Sequence, residues 1–215
     1  VGNKLVIQNL SKQYNSFTAL APTDLTLAAG EITILSGANG SGKTTLLSCI
    51  AGLIKPTTGT IHLNSFDSYD DEVEVRRRLA FVTDVPRFYV ELTAWEHLRF
   101  IAMANNVLAG FETRAEEILK MLGLWRSRHQ FPHHFSRGMQ LKLGLALALI
   151  RPFDVLVLDE PTSALDEESV GILLDQLESK RAQGVSVLMS SHDPMIKQQF
   201  GDRQILMAGG ILSEV

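Results

Sequence analysis

The sequence predicts an α/β fold: a mainly parallel sheet with helices on its faces and a helical stretch inserted between its strands. Strand-like runs at residues 31–36, 155–158 and 186–190 are each followed by a helical pattern, an order that needs crossovers and hence parallel pairing. Val155 to Leu158 is apolar at every position, as in a strand covered on both faces. Between these runs the chain changes character. Thr-x-x-Glu capping patterns at Thr93 to Glu96 and Thr113 to Glu116 open apolar-periodic stretches.

The elements follow in order. Leu5 to Leu10 reads as a strand, Leu25 and Leu27 alternate around polar Thr26 in another, and Glu31 to Ser36 is β-branched. A helix is expected over residues 42–51, closed by Gly52. Thr60 to Leu63 and Leu79 to Val82 are further strands. Helices should open at Thr93 and Thr113, the second ending at a Gly123 C-cap, and another should run from Ser136 to Ile150. After strand 155–158 come a helix from Glu167 to Arg181 and a strand from Ser186 to Ser190. Asp193-Pro194 is a helix cap with Pro at the first helical position, and Met207 to Ile211 holds a hairpin turn.

With 215 residues, 45% hydrophobic and 20% charged, the chain is long enough for one domain carrying an inserted subdomain and too apolar for disorder. The net charge of -4 provides no basic field, so no nucleic-acid partner is expected. One cysteine, Cys49, excludes an internal disulfide and fits a reducing compartment. No apolar run approaches the roughly 18 residues of a membrane span; Leu143 to Ile150 is short and bracketed by Lys142 and Arg151. The first residues lack a basic region followed by an apolar core, so a cytoplasmic chain without a leader is expected. It would meet a membrane only by binding something embedded there.

The strongest chemical signal is Gly37 to Thr45, G-A-N-G-S-G-K-T-T, which fits G-x-x-x-x-G-K-[ST] between a strand and a helix pattern. Gly37, Gly40 and Gly42 let the backbone turn tightly. The N–H groups of Asn39, Gly40, Ser41, Gly42, Lys43, Thr44 and Thr45 are then presented to phosphate oxygens at a helix N-terminus. Lys43 would reach the β- and γ-phosphates and the Thr44 hydroxyl would ligate Mg²⁺. The second signal is V-L-V-L-D-E, Val155 to Glu160. A buried strand ending in two carboxylates is costly unless something positive lies beside them. Asp159 would hold the metal, and Glu160 would orient or deprotonate water.

Together these motifs resemble the ATP-binding cassette (ABC) family over nearly the whole chain. Gly37 to Thr45 is similar to its Walker A loop and Val155 to Glu160 to its Walker B. Phe135 to Gln140, F-S-R-G-M-Q, is similar to its L-S-G-G-Q signature, and Ser163 to Asp166 to its D-loop. His192 sits where the family keeps a switch histidine, and Tyr14 where it stacks an aromatic on adenine. The resemblance implies a phosphate-loop NTPase core with a mixed, mainly parallel sheet, an N-terminal antiparallel β-subdomain and an inserted α-helical subdomain. Residues 1–83 and 151–215 would form the core, and 84–150 the insertion.

The resemblance also implies an ATPase using ATP and Mg²⁺. Its catalytic groups would be Glu160, His192 and Lys43. Two subunits, expected as a homodimer, would meet head to tail, with Ser136 and Gly138 of one closing on nucleotide held by the other. A separate transmembrane permease would be the driven partner, placing the chain peripherally on the inner face of the cell membrane.

Departures from the family pattern are visible. Arg137 and Met139 stand in the signature for Gly and Gln, and Asp84, in F-V-T-D, stands where the family usually has Gln. Both resemble exporter-like cassettes of multidrug (ABC-2) type. Asp84 reads either as a contact to Mg²⁺ or its water shell, or as a turn residue before Val85-Pro86. Asp166 can cap the following helix, meet a partner subunit, or both. His129, His133 and His134 read as solvated, Arg76 to Arg78 as a solvated basic face, and Cys49 as a small core residue. The alternative class is a soluble, non-transport ABC ATPase acting on nucleic acid or ribosomes. Its chromosome-type members need long coiled-coil arms and its translation-type members two cassettes, and neither is present. A phosphate-loop kinase would have no use for the signature.

Overall fold

The computed structural model of the chain describes residues 2–214. They form two compact units. One comprises residues 2–81, 153–160 and 177–214, and the other residues 82–152 and 161–176. No helix among the described residues is long and apolar enough to cross a membrane.

The first unit is built on two sheets. Strands β1 (Asn3–Tyr14), β2 (Phe17–Ala28), β4 (Thr58–Leu63) and β5 (Phe66–Asp67) form an antiparallel sheet in the order β2-β1-β4-β5. β1 and β2 are far longer than the short apolar pieces visible in the sequence. Register shifts interrupt their pairing around Ile7, Leu10 and Lys12, so the period of two breaks within each strand. Asn9 sits at such a break with φ 49°, and its N–H donates to Asp24 Oδ1 at 2.7 Å.

The second sheet has six strands: β3 (Ile32–Ser36), β6 (Leu79–Val82), β7 (Val155–Leu158), β8 (Ser186–Ser190), β9 (Arg203–Ala208) and β10 (Ile211–Glu214). Their order is β10-β9-β3-β8-β7-β6. β3 pairs in parallel with β8 and β9, and β7 with β8, while β10 returns antiparallel through the Gly209-Gly210 turn. The sheet is therefore mixed and mainly parallel, as expected. Every residue of β3, β7 and β8 is buried, which explains why they are apolar or β-branched except for serines at their ends.

Helix α1 (Lys43–Ile50) shares one apolar cluster with both sheets. Leu46, Leu47 and Ile50 join Leu5, Ile7 and Leu20 from one sheet and Val155, Leu188 and Met207 from the other. Burying each such leucine contributes about 1.5–3 kcal/mol before the entropy of ordering it is counted. The short helix α2 (Glu72–Arg78) carries the Arg76 to Arg78 run in its last turn. Those arginines pair with Glu72 and Glu74 one turn back, Glu74 being shared by two of them, so most of the run's charge is offset within the helix.

The second unit is helical: α3 (Ala94–Ala104), α4 (Phe111–Met121) and α5 (Arg137–Leu149) pack on one another through Leu98, Ala102, Phe111, Ala115, Leu119, Leu141 and Leu145. The capping box at Thr93 and Glu96 forms as the sequence predicts. The one expected at Thr113 does not. α4 starts three residues earlier, capped by Gly110 at φ 66° and without a side-chain cap. Tertiary packing overrides the local signal there. Phe111 is buried in the first turn, edge-on to Trp95 at 5.0 Å, and Arg114 donates to the carbonyls of Val107, Ala109 and Ile150. Helices α6 (Glu167–Ala182) and α7 (Pro194–Gln199) complete the fold, α7 with the predicted Asp193 cap, which accepts from the Met195 N–H at 2.8 Å.

Candidate nucleotide-binding site

The loop from Gly37 to Gly42 joins the C-terminal end of β3 to α1. Its glycines are sterically required. A Cβ on Gly37, at φ 149°, would lie 2.2 Å from Met207 O, and one on Gly42, at φ 110°, 2.6 Å from Ala19 O. Asn39 and Gly40 are exposed at the loop tip, and around Gly40 there is open space. Lys43 is 6% exposed and spans the loop from inside: Nζ donates to Gly37 O at 2.8 Å and Ala38 O at 3.3 Å. Its ammonium also faces an imidazole, with His192 Nε2 at 3.3 Å. The first turn of α1 contains no acidic residue and Gly42 provides no side-chain cap, so N–H groups of that turn are left for an anion. Ser41 Oγ is buried with no hydrogen-bond partner. A buried ammonium, uncapped helix N–H groups and an orphaned hydroxyl fit a phosphate chain.

Beside the loop, Asp159 and Glu160 directly follow the C-terminal end of β7. Asp159 is buried; Thr44 Oγ1 donates to its Oδ2 at 2.8 Å and Ser190 Oγ to its Oδ1 at 2.7 Å. A hydroxyl and a carboxylate in contact beside a phosphate loop are hard oxygen donors of the kind Mg²⁺ takes, so this pair fits the metal. Glu160 adopts φ 47°, a conformation that costs about 1–3 kcal/mol and persists only where the surroundings enforce it. Here its N–H donates to Ser190 Oγ at 2.8 Å.

Glu160 Oε1 is buried and lacks a hydrogen-bond partner, although His192 Nε2 lies 3.0 Å away. The ring nitrogen also faces Lys43, and a nitrogen that accepts from Lys43 has no proton for Glu160. Burial pushes the Glu160 carboxyl above its ordinary range, against the opposing pull of His192 and Lys43. A carboxylate with an open oxygen and raised basicity can take a proton from water.

Ser190 was not singled out by sequence reasoning, although the Ser190-Ser191-His192 run at a strand end was the available signal. It is fully buried and holds the Asp159 carboxylate and the Glu160 backbone N–H at once. Ser190→Ala should lower unfolding free energy by about 1–3 kcal/mol in denaturant titrations, because a buried donor and acceptor lose their partner. Ser190→Thr, which keeps the hydroxyl, should stay near wild type; equal losses in both variants would contradict this assignment.

Tyr14 ends β1, 43% exposed, with Lys12 Nζ 4.8 Å from its ring centroid and Phe17 opposite it in register. In the second unit, Ser136 caps α5, its hydroxyl accepting from the Met139 N–H at 3.3 Å. Gly138 lies so close to the next segment that a Cβ would be 2.6 Å from Ala164 O. Asp166 caps α6 through Ser169, whose N–H and hydroxyl hold its carboxyl below the usual range. Asp84 has a protein cation where a metal contact was expected. Arg137 Nη2 donates to both of its oxygens and Ser163 Oγ to Oδ1, so the carboxylate expected to face Mg²⁺ or its water shell is ion-paired within the protein. His129, His133 and His134 are exposed, with the His133 ring on Phe131 and His134. Cys49 lies within α1 on its buried face, its thiol pushed up to about 11 by burial.

The fold and this loop define a phosphate-loop nucleoside triphosphatase. Residues 20–163, well over half of the chain, match the family model described as ABC transporter. The chain is 34% identical over 209 residues to the SkfA peptide export ATP-binding protein SkfE of Bacillus subtilis (strain 168), covering 97% of this chain and 87% of that protein. A solved ATP-binding subunit of an ABC transporter superposes with a TM-score of 0.91 at 31% identity, over 98% of this chain and 90% of the other. A dimeric ATP-binding cassette in a post-hydrolysis state with ADP and Pi superposes with a TM-score of 0.86 at 27% identity, over 98% of each chain. The chain belongs to the ABC transporter family as an ATP-binding subunit, and it is an ATPase.

Proposed function

We propose that the chain hydrolyses ATP at a site shared by two copies and thereby drives a membrane permease in the export direction. The observation that carries the hydrolytic role is the open Oε1 of Glu160 beside Lys43 and His192. Tyr14 stacks on the adenine. The N–H groups from Gly37 to Thr45 and the Lys43 ammonium hold the phosphates. Thr44 and Asp159 would hold Mg²⁺, which when bound supplies Lewis-acid charge on the phosphate oxygens. Glu160 takes a proton from water as it attacks the γ-phosphorus; the products are ADP and inorganic phosphate. Once the phosphates draw Lys43 away, the His192 ring carries its proton on the freed nitrogen and donates towards the transferring group, and Lys43 stabilises charge growing on the departing ADP oxygen.

Ser136 and Gly138, at the N-terminal end of α5, offer N–H donors and a positive dipole end to the γ-phosphate of ATP held by a second copy. The solved relative with ADP and Pi is a dimer, and SkfE is named for peptide export. Both support the closing dimer and the direction. The permease is a separate chain, and this subunit sits on the inner face of the membrane against it.

A mixing experiment tests the shared site. Lys43→Ala disables one phosphate loop and Ser136→Arg one signature, so each variant alone should be inactive. Their mixture assembles one intact composite site and should regain hydrolysis. A mixture as silent as its components, measured beside active wild type, refutes the shared site.

A further inference from the structure

The two departures from the family pattern, a carboxylate at 84 and a guanidinium at 137, meet within the second unit. Arg137 Nη2 lies 2.7 Å from Asp84 Oδ1 and 2.9 Å from Oδ2. Ser163 Oγ donates to Oδ1 at 2.6 Å, and Arg137 Nη2 reaches Ser163 Oγ at 3.4 Å. Adjacent contacts join the same pieces of chain. Gly138 abuts Ala164 O, and Lys142 Nζ is 3.7 Å from Asp166 Oδ2. Arg137 is the first residue of α5, where a cation opposes the helix dipole. The Asp84 carboxylate cancels that charge, and Ser163 fixes the carboxylate. The side chains are 56% and 35% exposed, so the pair adds little global stability, and its effect is local geometry.

We propose that Asp84, Arg137 and Ser163 form one positioning unit, which sets the first turn of α5 for contact with ATP on a second copy, and that Asp84 and Arg137 work only as a pair. This rests on the shared-site reading above. Arg137 without Asp84 is an uncompensated cation, free to swing, at the end of a helix that needs a defined turn. Asp84 without Arg137 is an anion beside the turn that receives a phosphate. Removing both charges removes both faults. Ser163 lies three residues beyond Glu160 in the chain, so the same unit ties the signature turn to the segment leaving the hydrolytic carboxylate. If Asp84 merely stood in for the family glutamine, Asp84→Gln would be harmless; the pair makes it harmful.

The test uses the full chain in a Glu160→Gln background, reading by light scattering the ATP concentration that gives half-maximal dimer. ADP affinity from calorimetry serves as the control for the phosphate loop of a single copy. Asp84→Gln and Arg137→Gly should each raise the half-point about 5- to 10-fold, a coupling typical of charged contacts. The double variant should return to within about 2-fold of the parent. Arg137→Lys, which keeps the charge, should stay within about 3-fold, and ADP affinity should be the same in every variant. A neutral Asp84→Gln, or additive losses in the double variant, overturns the pair. A parent that never dimerises with ATP overturns the shared site itself, and the positioning unit with it.

Discussion

Glu160→Gln is expected to stop steady-state hydrolysis while ATP stays bound. The amide keeps the shape of the side chain but cannot accept a proton, and removing a positioned general base lowers kcat by about 10²- to 10⁴-fold. Binding should survive, because the groups assigned to the phosphates lie in the loop and α1 rather than on Glu160. Single-turnover assays and nucleotide retention on gel filtration read the two effects separately. The pH dependence carries a sign. Glu160 works as the carboxylate, and burial lifts its pKa above the ordinary 4.5. Activity is therefore lost as pH falls through that raised value, and the acid limb of kcat/KM lies above the position of a free glutamate. The folded protein also holds this proton more tightly than the unfolded chain. The shift thus opposes folding above the raised pKa and ceases to do so at low pH, the reverse of an ion-paired carboxylate. Ordinary turnover in the glutamine variant would remove Glu160 as the base.

Lys43→Ala is expected to weaken ATP binding about 10- to 150-fold, since a hydrogen bond to a charged partner is worth about 1.5–3 kcal/mol. The loop also loses an internal strut, because Nζ bridges Gly37 O and Ala38 O. Calorimetric titration measures the loss directly. A thermal midpoint close to wild type shows that the fold persists and that the lost affinity belongs to the site. Undiminished affinity would mean that Lys43 serves only the loop.

Much of this was legible in the sequence because its causes are local. The G-x-x-x-x-G-K-T pattern specifies a turn, a helix start and a cation within nine residues, Gly37 to Thr45. The buried strands announced themselves because both faces need apolar side chains. Long-range causes were illegible. The bulges that break the period of β1 and β2 reflect pairing between strands, and α4 begins at Phe111 because that ring is buried against Trp95. Ser190 is 30 residues from Glu160, and only the parallel pairing of β7 with β8 brings its hydroxyl to the Asp159 carboxylate and the Glu160 N–H.

By itself, the sequence determined the family, the phosphate loop and the two carboxylates that follow β7, because each is written in neighbouring residues whose chemistry makes sense together. Only the tertiary structure decided the partners of those groups. Glu160 is left with an open oxygen, Asp159 is held by Thr44 and Ser190, and Asp84 is joined to Arg137, 53 residues away. A charge says what it needs, but which group meets that need depends on distances that exist only once the chain has folded.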